Sequence, residues 1–193
     1  MVLDPDKKGA GQADGQAGEG GGPAAAAGPA PAKAVRNPRV ARQTRMSQAF
    51  SQVVAVLMRD PNFRNMKLSD LEWLVLPPIM AGQFKLGHAR APQRAGAKGP
   101  SDMLVPVAVA LWARVSSTID KALSERLGSE MRLRPTDWAT GDIVWLMAAA
   151  GNPRAVPMFL KQLKETQFKD QEVKLRTRAP DGTIVVKTLS EYA

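Results

Sequence analysis

The chain has 193 residues, no cysteine, and 27 Lys and Arg against 18 Asp and Glu, a formal net charge of +9. That length suffices for one domain with a real core and is short for two, and the lack of cysteine excludes a disulfide scaffold and a thiolate metal site. No apolar run approaches the roughly 20 residues of a membrane-spanning helix or resembles a signal sequence, so the expected location is cytoplasmic, and the charge favours acidic partners.

Residues 1–45 read as a disordered tail. Gly18-Glu19-Gly20-Gly21-Gly22-Pro23 and the Ala/Pro stretch after it bury too little to offset the entropy of ordering. The tail ends in a basic arm in which Lys33, Arg36, Arg39, Arg42 and Arg45 recur every third residue. This arm is either a contact for phosphate or an acidic partner, or a solubilising lead-in. Residues 46–193 form the expected domain. It carries a cationic surplus of its own, so the positive charge is not confined to the tail.

From about Ser47, the residues Met46, Ala49, Phe50, Val53, Val54 and Leu57 follow the spacing of an amphipathic helix, which Asp60-Pro61 stops. Ser69 and Glu72 have capping-box spacing for a second helix, closed by Pro77-Pro78. Gln83 to His88 alternates as a strand, and Ala91 to Asp102 is a loop. Val105 to Val115 reads as a central strand, Ser116 to Leu127 as a helix ended by Gly128, and Ile143 to Ala150 as a buried strand. Asn152-Pro153 suggests a cap and first position for a helix packed through Val156, Phe159, Leu160 and Leu163. Glu172 to Arg178 and Thr183 to Leu189 form a hairpin around Ala179-Pro180-Asp181-Gly182. Five strands with interspersed helices predict an α/β or α+β fold around a mixed sheet. Neither a G-x-G-x-x-G nor a Walker loop is present.

Four colinear segments over about residues 50–190 carry a resemblance. They are Asp60-Pro61-Asn62-Phe63-Arg64-Asn65 with Leu76-Pro77-Pro78-Ile79 and Gly82-Gln83-Phe84; Val105-Pro106-Val107-Ala108 through Leu111-Trp112-Ala113; Asp137-Trp138-Ala139-Thr140-Gly141-Asp142 with Trp145; and, more weakly, Phe159 to Arg178. In this order they resemble the RTX toxin-activating lysine acyltransferases, the haemolysin-activating C proteins. The third segment is the most specific, since two tryptophans, two aspartates and a glycine keep the family's spacing.

The resemblance implies a GNAT-type acyltransferase fold. It implies a reaction in which a fatty acyl group passes from acyl carrier protein to internal lysines of an RTX protoxin, with no bound cofactor and no metal, and it is compatible with a homodimer. The family's catalytic histidine position is Phe63 here, its aspartate position is Ala148, and a usual asparagine is Leu74. Two substitutes for the missing chemistry remain. His88, the single histidine, is a relocated base or a surface residue at a strand end. Asp142 is a carboxylate at a strand edge or a cap for the turn from Asp137 to Gly141.

Asp137 has N-cap chemistry and reads as structural. Trp112 and Trp145 read as core. Trp73 and the methionines Met58, Met66, Met80, Met103, Met147 and Met158 either line an acyl groove or fill the core. Two rival functions stand beside the enzyme: a degenerate relative that binds the carrier or the toxin without transfer, and a basic nucleic-acid-binding protein.

Overall fold

The structure is a computed structural model that describes residues 38–91, 102–128 and 132–192. Helix α1 spans Pro38–Leu57, followed by short helices α2 (Asp70–Leu74) and α3 (Leu76–Ala81) and strands β1 (Phe84–Arg90) and β2 (Leu104–Val115). Helix α4 (Ser117–Glu125) and a 3-10 turn (Pro135–Trp138) lead to β3 (Ile143–Gly151), α5 (Val156–Thr166), β4 (Val173–Arg178), β5 (Ile184–Thr188) and α6 (Leu189–Tyr192). The five strands form one sheet in chain order. All neighbouring pairs are antiparallel except β3 and β4, which run parallel with α5 as their crossover. A mixed sheet flanked by helices is what the strand count predicts.

The run of apolar residues in β2 follows from its central place. Successive side chains point to opposite faces of a strand, and both faces of this sheet are covered. Val109, Leu111, Ala113 and Val115 join a core with Val53, Val56 and Leu57 of α1, Leu74, Val75, Ile79, Leu123 and Trp138. Ala110 and Trp112 face the other core, with Leu160 and Leu163 of α5, Phe168 and Leu189. Trp112 packs edge-to-face on Phe168 at 5.1 Å, the geometry that the charge distribution of aromatic rings favours.

Several local expectations are corrected. Helix α1 begins at Pro38, not near Ser47, so Arg39, Arg42 and Arg45 lie on a helix and not in a disordered arm. Proline is tolerated at a first helical position because its missing N–H would have no partner there. The rest of the tail, Lys33 and Arg36 included, lies outside the described residues, as do residues 92–101 of the expected loop.

Ser69 makes no cap bond, and the capping box does not form. Asp70 replaces it, its carboxyl accepting the Lys67 N–H at 3.1 Å. Pro77 and Pro78 open α3 and do not close α2, again at positions that need no donor. Helix α4 closes at Arg126, two residues before Gly128. Asn152 caps a turn ahead of α5, its side chain accepting the Arg154 N–H at 2.9 Å, while the helix itself starts at Val156. Asp137 is no N-cap. It lies inside the 3-10 turn, whose cap position is Arg134. The hairpin forms as expected, and the chain then turns into α6, where Glu191 accepts the Thr188 N–H at 2.7 Å.

Candidate functional site

The parallel pair β3 and β4 is bonded only over Val144–Val173, Trp145–Lys174 and Leu146–Leu175. Beyond Leu146, strand β3 runs on to Gly151 with no partner from β4. Here β3 also carries an extra residue. Leu111 pairs with Ala148 and Trp112 with Leu146, which leaves Met147 as a bulge. Bulges bend a strand and re-aim side chains. This one keeps Trp145, Ala148 and Ala150 in one core and Leu146 in the other.

At the divergence lies a cavity of about 220 Å³ lined by Phe63, Trp73, Leu74, Leu123, Trp145, Leu146, Met147 and Arg176. All but one of these are apolar or aromatic. Phe63 and Leu74, both singled out by the sequence, therefore share one cavity. Ala148, the third, is buried beside it on β3, in the core against which Phe63 and Trp73 pack.

The loop bearing Phe63 is fixed from below. Asp60 is buried; one of its carboxyl oxygens accepts the Asn62 N–H at 2.8 Å, and the other accepts the Gly151 N–H at 2.8 Å. The loop after α1 is thus stapled to the end of β3. Gly151 has φ +132°, and a Cβ there would lie 2.2 Å from the Val107 carbonyl oxygen, so only glycine fits this junction. The wall formed by Trp73 is held by Asp70, whose Oδ1 accepts the indole N–H at 3.3 Å and pairs with Arg132 at 3.1 Å. The Trp73 hydrogen bond leads the causes that hold the Asp70 carboxyl below the ordinary range.

On the α4 side, the Trp145 indole donates to Asp120 at 2.8 Å, and Lys174 bonds both oxygens of Asp120 at 2.9 and 3.1 Å. Arg176 donates from Nε at 3.0 Å and Nη2 at 2.5 Å to the Leu123 carbonyl, in the last turn of α4. That carbonyl has no partner within the helix. Burial pushes the Arg176 guanidinium down from its usual value.

The segment from Asp137 to Gly141, ahead of Trp145, does different work. Asp137 is buried and takes a forked pair of hydrogen bonds from Arg134 at 3.0 and 3.1 Å. This contact holds its carboxyl below the ordinary range. Trp138 fills the core beneath it. A Cβ on Gly141 would lie 2.5 Å from the Val115 carbonyl oxygen, which explains the glycine at that spacing. The turn is capped by Thr140, whose hydroxyl donates to the Asp137 carbonyl at 3.2 Å and accepts the Ser116 N–H at 3.0 Å.

Asp142 is exposed in a separate polar groove with Arg114, Ile143, Gln171, Glu172 and Lys174. His88 is exposed on the edge strand β1, opposite Pro106 at a break in register. Neither lines the cavity. Trp73 and Met147 do, whereas Met58, Met80, Met103 and Met158 are exposed, so the methionines do not converge on one groove. Asp120 lies outside the four segments, and the contacts of Asp60, Lys174 and Arg176 within them are not legible from the motifs. Their partners lie tens of residues away, 91 for Asp60 to Gly151 and 54 for Lys174 to Asp120.

Among the described residues no cluster of potential metal ligands occurs, and no helix is long and apolar enough to cross a membrane. No curated protein matches the chain. The model of the RTX toxin acyltransferase family, HlyC, matches residues 42–190, a span that contains the cavity, the Asp60 staple and the Asp137–Trp145 segment. The chain belongs to the RTX toxin acyltransferase family.

Proposed function

We propose that the chain is a cytoplasmic lysine acyltransferase that moves a fatty acyl group from acyl carrier protein to internal lysines of an RTX protoxin. The observation that carries this reading is the family match over residues 42–190, together with an apolar cavity where β3 and β4 part. An acyl chain suits aromatic and aliphatic walls, since its burial is favourable by roughly 0.8 kcal/mol per methylene. The net charge of +9 suits an acidic carrier, because opposite charge speeds encounter and sets orientation.

The reaction joins the lysine nitrogen to the thioester carbonyl carbon and breaks the carbon–sulfur bond. It yields an amide and a free carrier thiol, and the proton lost by nitrogen ends on sulfur. An ammonium has no lone pair, so the amine must first give its extra proton to solvent, before the one that passes to sulfur. A free lysine titrates near pH 10.4. The residues lining the cavity include no histidine and no carboxylate to act as base. The apolar walls themselves favour the neutral amine, because burial disfavours a charged group and lowers a lysine's pKa by as much as 3–5 units. Desolvation thus replaces the base that Phe63 cannot be.

Co-expression with the cognate RTX protein is expected to add an acyl mass to a lysine-containing toxin peptide. Unchanged peptide masses throughout the toxin would refute the reading. Phe63 and Leu74 in the cavity favour one alternative, a relative that binds the acylated carrier without transfer. It would bind the carrier in low salt and release no thiol above the level of buffer.

A further inference from the structure

We propose that Arg176 is the catalytic group of this cavity: it keeps the incoming lysine neutral by like-charge repulsion and donates hydrogen bonds to the oxyanion formed on the thioester carbonyl. The inference rests on the acyltransferase reading and assigns chemistry to a site otherwise lined by apolar and aromatic side chains.

Arg176 is half-buried and is the one charged residue lining the cavity. The groups around it are already matched. Lys174 is neutralised by Asp120 on α4, and Asp120 also receives the Trp145 indole. Asp70, behind Trp73, is paired with Arg132. Strand β5 places Val186 opposite Arg176. No carboxylate is paired with Arg176 among the described residues. A guanidinium keeps its proton in proteins, so a full positive charge faces an apolar space.

A cap for the end of α4 explains only part of this arrangement. The Leu123 carbonyl engages two of the five guanidinium N–H groups. The other three have no protein acceptor among the described residues. Donors already held in place, in a site with little water, are what a developing oxyanion needs. A cation beside a desolvated amine also drives that amine toward its neutral form. In the step itself, the neutral amine attacks the carbonyl carbon while Arg176 donates to the oxygen. The tetrahedral intermediate then expels the sulfur, which takes the proton from nitrogen. Arg176 itself is unchanged at the end.

The test measures transfer from a long-chain acyl thioester of acyl carrier protein to the protoxin lysine, as kcat against pH, for wild type, Arg176→Met and Arg176→Lys. Arg176→Met is expected to lower kcat about 100-fold and to move the rising limb of the profile to higher pH. Arg176→Lys is expected to keep the wild-type limb, because it keeps the charge, and to lose about tenfold in kcat for want of the forked donors. Thermal unfolding shows whether Arg176→Met remains folded. If it does not, the Arg176→Lys profile decides, and a kcat within twofold of wild type then overturns the proposal. A folded Arg176→Met with wild-type kcat and profile overturns it also. Wild type without any transfer would instead bring down the acyltransferase reading and this inference with it.

Discussion

The segment from Asp137 to Trp145 and the stretch from Asp60 to Leu74, a loop leading into α2, meet the same core but answer to different demands. In the first, Asp137, Trp138 and Gly141 serve packing and anchoring: Asp137 clips Arg134, Trp138 fills space, and Gly141 lets the turn lie against Val115, while Trp145 at its end reaches the cavity. In the second, Phe63 and Leu74 line the cavity, with Ala148 buried on the strand beside it. Residues fixed by sterics admit few substitutes. A cavity wall admits any side chain that fills the space, so chemistry can change there while the scaffold stays.

The strongest way to break that contrast is Gly141→Ala. The three nearest atoms to an added Cβ all belong to the backbone of Val115 and Ser116, at 2.5 to 2.9 Å. Backbone cannot move aside as a side-chain tip can, so a loss of about 3 kcal/mol or more is expected. That is a drop of roughly 10 °C in Tm for a chain of this size. A calorimetric Tm within 2 °C of wild type would show that the segment yields and that its spacing is not set by sterics.

Asp60→Ala tests the other region. It leaves the buried Gly151 N–H and the part-buried Asn62 N–H without their acceptors, at an expected cost of about 2 kcal/mol by denaturant unfolding. Because Asp60 fixes the loop that bears Phe63, binding of an acyl thioester should weaken as well. Unchanged acyl binding in a destabilised variant would separate the staple from the cavity.

The smallest effect is with pH, and it sharpens the comparison because each region holds one carboxyl below the usual value. Asp137 is held down first by the Arg134 hydrogen bonds, and Asp70 first by Trp73. A carboxyl with a depressed folded pKa contributes stability in full above its unfolded pKa and loses it as pH falls through the folded one. Both contributions should therefore be intact at neutral pH and fade below about pH 4. Asp137→Asn and Asp70→Asn should each flatten the fall of Tm between pH 5 and 2.5. A slope unchanged in either variant would mean that the acid sensitivity arises elsewhere.

The pattern of buried residues made much of the fold legible. The 3.6-residue period ending at Leu57 and the continuous apolar runs of β2 and β3 each report burial within one short segment, and the exposed turn at Pro180-Asp181-Gly182 reports backbone chemistry just as local. Errors fell where a local signal has two meanings. Proline can end a helix or begin one, and Pro77 begins α3. Ser69 and Glu72 have the spacing of a capping box, but Asp70 between them has the better geometry.

What the sequence by itself determined is the mixed sheet, its two covered faces and the family, because periodicity and motif spacing are properties of neighbouring residues. It also singled out Phe63, Leu74 and Ala148, apolar residues at positions where the resemblance leads one to expect polar ones. Only the tertiary structure decided that Phe63 and Leu74 share one cavity with Ala148 beside it, that β3 and β4 part there, and that Arg176 is its one charged residue. The reason is physical. The staple from Asp60 to Gly151, the bridge from Lys174 to Asp120 and the bond from Arg176 to Leu123 each join residues far apart in the chain, through contacts that exist only once the sheet has brought them together.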